Sequence, residues 1–122
     1  MIKKIGIGFL FFLLIFSGIA FADKTSVVIT APNTVKKGTE ITIKIDVTHN
    51  GNNFMHYTNW VYVKVNGQEI ARWDFSAGNR PENEVFSREV KYTVTGPAEI
   101  IAEGNCNIHG SKGQAVLKIN VK

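Results

Sequence analysis

Cys106 and His109 stand three residues apart in Gly104-Asn105-Cys106-Asn107-Ile108-His109-Gly110, and Cys106 is the only cysteine of the chain. The other two histidines, His49 and His56, flank a short polar stretch that contains Asn50-Gly51-Asn52-Asn53. Thiolate sulfur and imidazole nitrogen together form the mixed donor set that redox metals such as iron and copper take. Zinc accepts one cysteine with three histidines equally well, because four such ligands satisfy its tetrahedral preference. Taken singly, each histidine reads as a surface or hydrogen-bonded residue. All three histidines and the only cysteine fall in two polar loops, and that coincidence marks His49, His56, Cys106 and His109 as a candidate metal site.

The N-terminal segment sets the compartment. Lys3 and Lys4 precede an apolar run from Ile5 to Ile19, and Ala20-Phe21-Ala22 fits the small-x-small rule for signal peptidase. The reading is a signal peptide over residues 1–22, cleaved at Ala22-Asp23, with one domain over 23–122 delivered to the periplasm or secreted. An uncleaved run would instead tie the protein to the membrane through this segment, since it is only slightly short of a spanning helix. No cysteine follows the run, which excludes a bacterial lipoprotein. Exported cysteines usually pair as disulfides, and a single one has no partner within its chain. Asn and Gly around Cys106 suit a turn better than a core, so the sequence assigns a functional thiolate rather than a small buried hydrophobe.

Composition narrows the partners. The chain carries 14 Lys and Arg against 10 Asp and Glu, and two of the basic residues belong to the leader. No basic cluster with interleaved aromatics is present, which argues against nucleic acid. No Ser/His/Asp arrangement, paired-carboxylate motif or phosphate loop supports hydrolytic chemistry.

The elements that must position the site read as strands throughout. Ser26–Thr30 and Glu40–Thr48 are β-branched runs, and the second alternates Ile41, Ile43, Ile45 and Val47 against polar residues. Lys36-Lys37-Gly38 supplies the turn between them. Asn59–Val65 leads through Asn66-Gly67, a two-residue hairpin signature, into Gln68–Phe75. A loop over Ser76–Asn83 precedes strands Val85–Val94 and Ala98–Glu103, which Gly96-Pro97 separates, and Gln114–Val121 closes the chain. About seven short strands in one domain predict an all-β, immunoglobulin-like β-sandwich. Loops carried on such a scaffold can bring ligands together from distant positions.

Cys106-Asn107-Ile108-His109-Gly110 resembles the iron-binding signature of the desulfoferrodoxin/neelaredoxin superoxide reductases. His49, a polar loop one residue longer than usual, and His56-Tyr57-Thr58-Asn59-Trp60-Val61 are similar to that family's upstream ligand loop. The resemblance implies an immunoglobulin-like sandwich holding one non-haem iron (Fe2+/Fe3+), with Cys106 as axial ligand and His49, His56 and His109 as equatorial imidazoles. It implies one-electron reduction of superoxide to hydrogen peroxide, with an unidentified electron-donor protein as partner, and it admits a homo-oligomer. Trp60 falls where its family counterpart walls the metal site.

One position departs from the family pattern. Asp23-Lys24-Thr25 stands where the family has Glu-Lys-His, so Lys24 matches the lysine thought to guide superoxide, whereas Thr25 replaces the fourth imidazole. The α-amino group freed by cleavage before Asp23 is a candidate to fill the gap. An unperturbed peptide N-terminus has a pKa of about 8, so a metal can displace its proton. Two alternatives share these residues. One is a blue-copper-like electron carrier using Cys106 and His109, with Gln114 as weak axial oxygen. The other is an exported module that binds metal, structural zinc included, or a protein partner, without superoxide reductase activity.

Overall fold

Alternation decides the architecture. In Thr39–Thr48 the buried residues are Ile41, Ile43, Ile45 and Val47, and the residues between them face outward. A strand built this way must cover one face, and it does so against a second sheet whose inward row includes Val61, Val63 and Val65. The computed structural model describes residues 24–122. The expected leader, its cleavage site and Asp23 lie outside the described residues.

Among the described residues there are eight strands and no helix: β1 (Ser26–Thr30), β2 (Thr34–Val35), β3 (Thr39–Thr48), β4 (Thr58–Val65), β5 (Gln68–Asp74), β6 (Val85–Val94), β7 (Ala98–Cys106) and β8 (Ala115–Val121). They form a three-stranded sheet in the order β1-β3-β6 and a five-stranded sheet in the order β2-β8-β7-β4-β5. The all-β sandwich expected from the sequence is the observed fold. The additional strand is β2, which pairs in parallel with β8 through Thr34 and Val35. Two residues hold too little alternation to show in a sequence. Expected turns also appear: Gly38 has φ of 91°, and Asn66 and Gly67 take φ of 50° and 81° between β4 and β5. Positive φ at both central residues is the requirement of a type I′ hairpin.

The largest departure from expectation is the length of β7. Its inward row runs Ala98, Ile100, Ala102, Gly104 and Cys106, all buried, so the strand continues three residues past Glu103. Gly104 is required in that row, because a Cβ there would lie 2.9 Å from the Thr25 methyl and 3.2 Å from Val27. The end of β7 therefore approaches the start of β1 on the other sheet. Backbone bonds join them further: Thr25 N donates to Gly110 O at 3.3 Å and Lys112 N to Thr25 O at 2.9 Å. This seam closes one end of the sandwich, and the candidate ligands are found at that end.

Burying a branched aliphatic side chain contributes about 1.5–3 kcal/mol, and truncating it in a packed core costs about 2–5 kcal/mol. Ile100 is fully buried, whereas Val28 is 61% exposed on β1. In urea unfolding, Ile100→Ala is expected to lose about 2–5 kcal/mol, while Val28→Ala changes stability by under about 0.5 kcal/mol.

Candidate metal centre

The motif around Cys106 is a closed loop with a role for nearly every residue. Cys106 and Gly110 exchange two backbone hydrogen bonds, at 2.9 and 3.0 Å, which fold residues 107–109 into a turn. Gly110 ends that turn with φ of 86°, a conformation other residues adopt at a cost. The turn aims the N–H groups of Ile108 and His109 at Cys106 Sγ, 3.4 and 3.3 Å away. Two such donors face a sulfur that can carry negative charge as a ligand. Asn107 joins this loop to the upstream one: its Oδ1 accepts from Tyr57 N at 3.0 Å, its Nδ2 donates to Met55 O at 3.1 Å, and its N donates to Tyr57 O at 3.1 Å. The Ile108 side chain is 57% exposed, so this residue contributes through its backbone N–H.

The upstream loop is equally determined. His49 continues from β3, and its N donates to Glu84 O at 3.0 Å, which sinks the imidazole to 2% exposure. Asn53 turns the chain back by exchanging backbone bonds with His56, and its Oδ1 accepts from the N–H groups of Met55 and His56. Gly51 makes room for His56: a Cβ at that residue would stand 2.4 Å from His56 Nδ1, well inside van der Waals contact.

These two loops bring the candidate ligand atoms together. His49 Nε2 lies 3.2 Å from His56 Nε2, which lies 3.2 Å from His109 Nδ1, which lies 3.7 Å from Cys106 Sγ. One ligand atom from each of His49, His56 and Cys106 falls within 4.8 Å of the others. A single ion bound at 2.0–2.1 Å to nitrogen and 2.3 Å to sulfur holds neighbouring donors ~3–3.5 Å apart. The neighbouring separations of 3.2–3.7 Å are close to that range, and the donors are the pair of types that suits a redox metal. The arrangement leaves His109 and His56 toward the surface and buries His49 and Cys106.

Three residues take places the sequence did not anticipate. Cys106 is buried to 1% exposure rather than sitting in an open turn, because the inward row of β7 extends to it. Gln114 Nε2 donates to Tyr62 OH at 2.9 Å, so its side chain belongs to a polar cluster and not to an axial position. In that cluster burial, reinforced by a 2.7 Å bond to the Glu103 carboxylate, holds the Tyr62 phenol above its usual pKa. Trp60 stacks on Tyr62 with ring centroids 5.6 Å apart and lies beneath Arg72. It alternates with the core residues Val61 and Val63, so it faces the outside of the five-stranded sheet.

Lys24 is half-buried beside a cavity of about 450 Å³ whose lining includes Lys112, Glu84 and His49. His56, Cys106 and His109 are not among its lining residues. Lys24 therefore stands on the His49 side of the cluster. Thr25 is fully buried, and its hydroxyl lies 3.2 Å from that of Thr58, which in turn lies 3.0 Å from His49 Nδ1. In the sequence Thr25 registers only as a missing ligand, and Thr58, Gly51 and Lys112 do not stand out. The only available hint for Thr58 is its place in the run from His56 into β4.

Fold and site together define a β-sandwich protein with a sulfur/nitrogen donor cluster at one end that could hold a metal ion. The chain belongs to the desulfoferrodoxin family, whose model matches residues 17–112. Its fold is similar to the superoxide reductase (neelaredoxin) of Ignicoccus hospitalis, at 22% identity and a TM-score of 0.68, over 85% of this chain and 86% of that one. A Thermotoga maritima protein described as a candidate superoxide reductase is 26% identical, with a TM-score of 0.59 over 80% of this chain and 86% of its own. The metal-bound CARDB domain from Pyrococcus furiosus shares the sandwich at 19% identity and a TM-score of 0.61, over 82% of this chain and 94% of that one. No curated protein sequence matches the chain.

Gly51→Ala is expected to fold normally while forcing the His56 ring out of place. Titration with Co(II) should show affinity reduced ~10-fold or more, with an unchanged unfolding midpoint.

Proposed function

We propose that this is an exported mononuclear non-haem iron protein that reduces superoxide to hydrogen peroxide. His49, His56, His109 and Cys106 are the iron ligands. The observation that carries the reading is the gathering of His49, His56 and Cys106 donors within 4.8 Å of one another, with His109 Nδ1 3.2 Å from His56 Nε2 and 3.7 Å from Cys106 Sγ. Membership of the desulfoferrodoxin family supports iron over copper and zinc.

Iron held by these four residues would supply one electron to superoxide, which with two protons becomes hydrogen peroxide, and an external donor protein would return the electron. The chain supplies position and charge. The N–H groups of Ile108 and His109 fix the sulfur, and the Asn107 bonds fix the separation of the two loops. Lys24, with Lys112 close by, gives the His49 side of the site a cationic flank facing one carboxylate, Glu84. A positive flank raises the encounter rate of a small anion, and salt screens the effect.

Metal content of the leader-free protein, purified without oxygen, is the deciding measurement. Stoichiometric iron, followed by one peroxide formed per superoxide when mixed rapidly with a reductant present, is the expected result; zinc or copper in the site, or no peroxide, overturns the proposal. His56→Ala should lose ~100-fold or more in metal affinity and the activity with it. Lys24→Gln should retain iron and slow the superoxide reaction several-fold, at most about tenfold, at low ionic strength. The difference should fade at high salt.

A further inference from the structure

The residue that occupies the place of a fourth imidazole is connected to the site through hydrogen bonds. Thr25 and Thr58 are both fully buried, with their hydroxyl oxygens 3.2 Å apart. Thr58 Oγ1 lies 3.0 Å from His49 Nδ1, and the other nitrogen of that ring, Nε2, faces His56 Nε2 at 3.2 Å. The row is thus Thr25, Thr58, His49 Nδ1, His49 Nε2, ending at the ligand cluster. We propose that Thr25 and Thr58 are positioning residues acting through His49: their linked hydroxyls keep its proton on Nδ1 and present Nε2 as the ligand atom.

The chemistry of the groups supports this. A neutral imidazole has one donor nitrogen and one acceptor nitrogen, and the partner of one nitrogen fixes the role of the other. With Nε2 given to the metal the ring proton stays on Nδ1, and a hydroxyl can accept from Nδ1–H while passing its own proton onward, so in this arrangement Thr58 accepts from His49 and donates to Thr25. A buried ring lacking such a partner would leave a polar atom unsatisfied, at a cost of about 1–3 kcal/mol. Partners of this kind on the far nitrogen of a ligating histidine typically govern metal affinity by 10–100-fold.

The backbone explains why the relay sits here. A β-bulge between Thr58 and Trp60 shifts the register of β4 against β7, and Thr58 pairs with Cys106 at the sandwich end. Beyond the bulge, Val61 rather than Trp60 points into the core, which leaves Thr58 facing Thr25 and His49. Thr25 is held on three sides, by the backbone bonds to Gly110 and Lys112 and by methyl packing on Gly104. Its hydroxyl thereby has a fixed direction. In this chain the position has become part of the support for His49.

The inference rests on the metal-centre reading above, and two isosteric variants test it. Thr58→Val keeps the shape and removes the hydroxyl; Thr58→Ser keeps the hydroxyl. Co(II) titration should show Thr58→Val weakened ~10–100-fold with an altered cobalt spectrum, and Thr58→Ser restored to near the parent affinity. Thr25→Val, which keeps the methyl against Gly104, should shift the spectrum in the same sense by a smaller amount. In zinc-loaded protein labelled with nitrogen-15, His49 should carry its proton on Nδ1. If Thr58→Val matches the parent in affinity and spectrum, or His49 carries its proton on Nε2, the inference is overturned while the metal centre stands. If the parent binds neither cobalt nor zinc, both fall together.

Discussion

Asn107 connects the parts on which the site depends. Its side chain and backbone make three bonds to the Met55–Tyr57 segment, and these hold the His56 loop against the Cys106 loop. Without that bridge the two loops would be related only through the strands from which they spring. A metal site tolerates little freedom between them, because ligand distances must fall within a few tenths of an ångström. The bridge is itself anchored by the paired strands behind it. β4 and β7 are neighbours in the five-stranded sheet, and Thr58 pairs directly with Cys106.

The site is therefore an extension of the core rather than an addition to it. The inward row of β7 passes from Ile100 and Ala102 through Gly104 to Cys106, and that of β3 ends at Val47 before His49. Apolar burial fixes the strands, and the last inward positions carry sulfur and imidazole where the rows reach the end of the sandwich. Burial also explains why the two inner donors, His49 and Cys106, need support. His49 is satisfied by Thr58 on one nitrogen and by the cluster on the other, and the Cys106 sulfur accepts from two backbone N–H groups. The outer candidates, His56 and His109, remain nearer the surface and depend on loop geometry instead.

Thr25 is buried, bonded and packed, so the chain around it leaves no hole. Local choices that agree with one another in this way, Gly104 with the Thr25 methyl and Gly51 with the His56 ring, are what a sequence selected for one arrangement displays.

Much of this was legible in the residues. Strands with strong alternation, such as β3 and β6, and the Asn66-Gly67 hairpin follow from periodicity and turn chemistry, which act locally. The grouping of Cys106 and His109 on one turn is likewise local, and His49 and His56 share a single loop. Sequence failed where partners are distant. β2 exists because β8 lies beside it, the true end of β7 is set by pairing with Thr58, and the surroundings of Cys106, Gln114 and Trp60 depend on which face each strand turns inward. The sequence by itself determined the sheet-forming pattern and the chemical kinds of the donors. Only the tertiary structure decided that the donors meet, and that Thr25 and Thr58 line up behind His49, because those contacts join residues that no local period or turn rule connects.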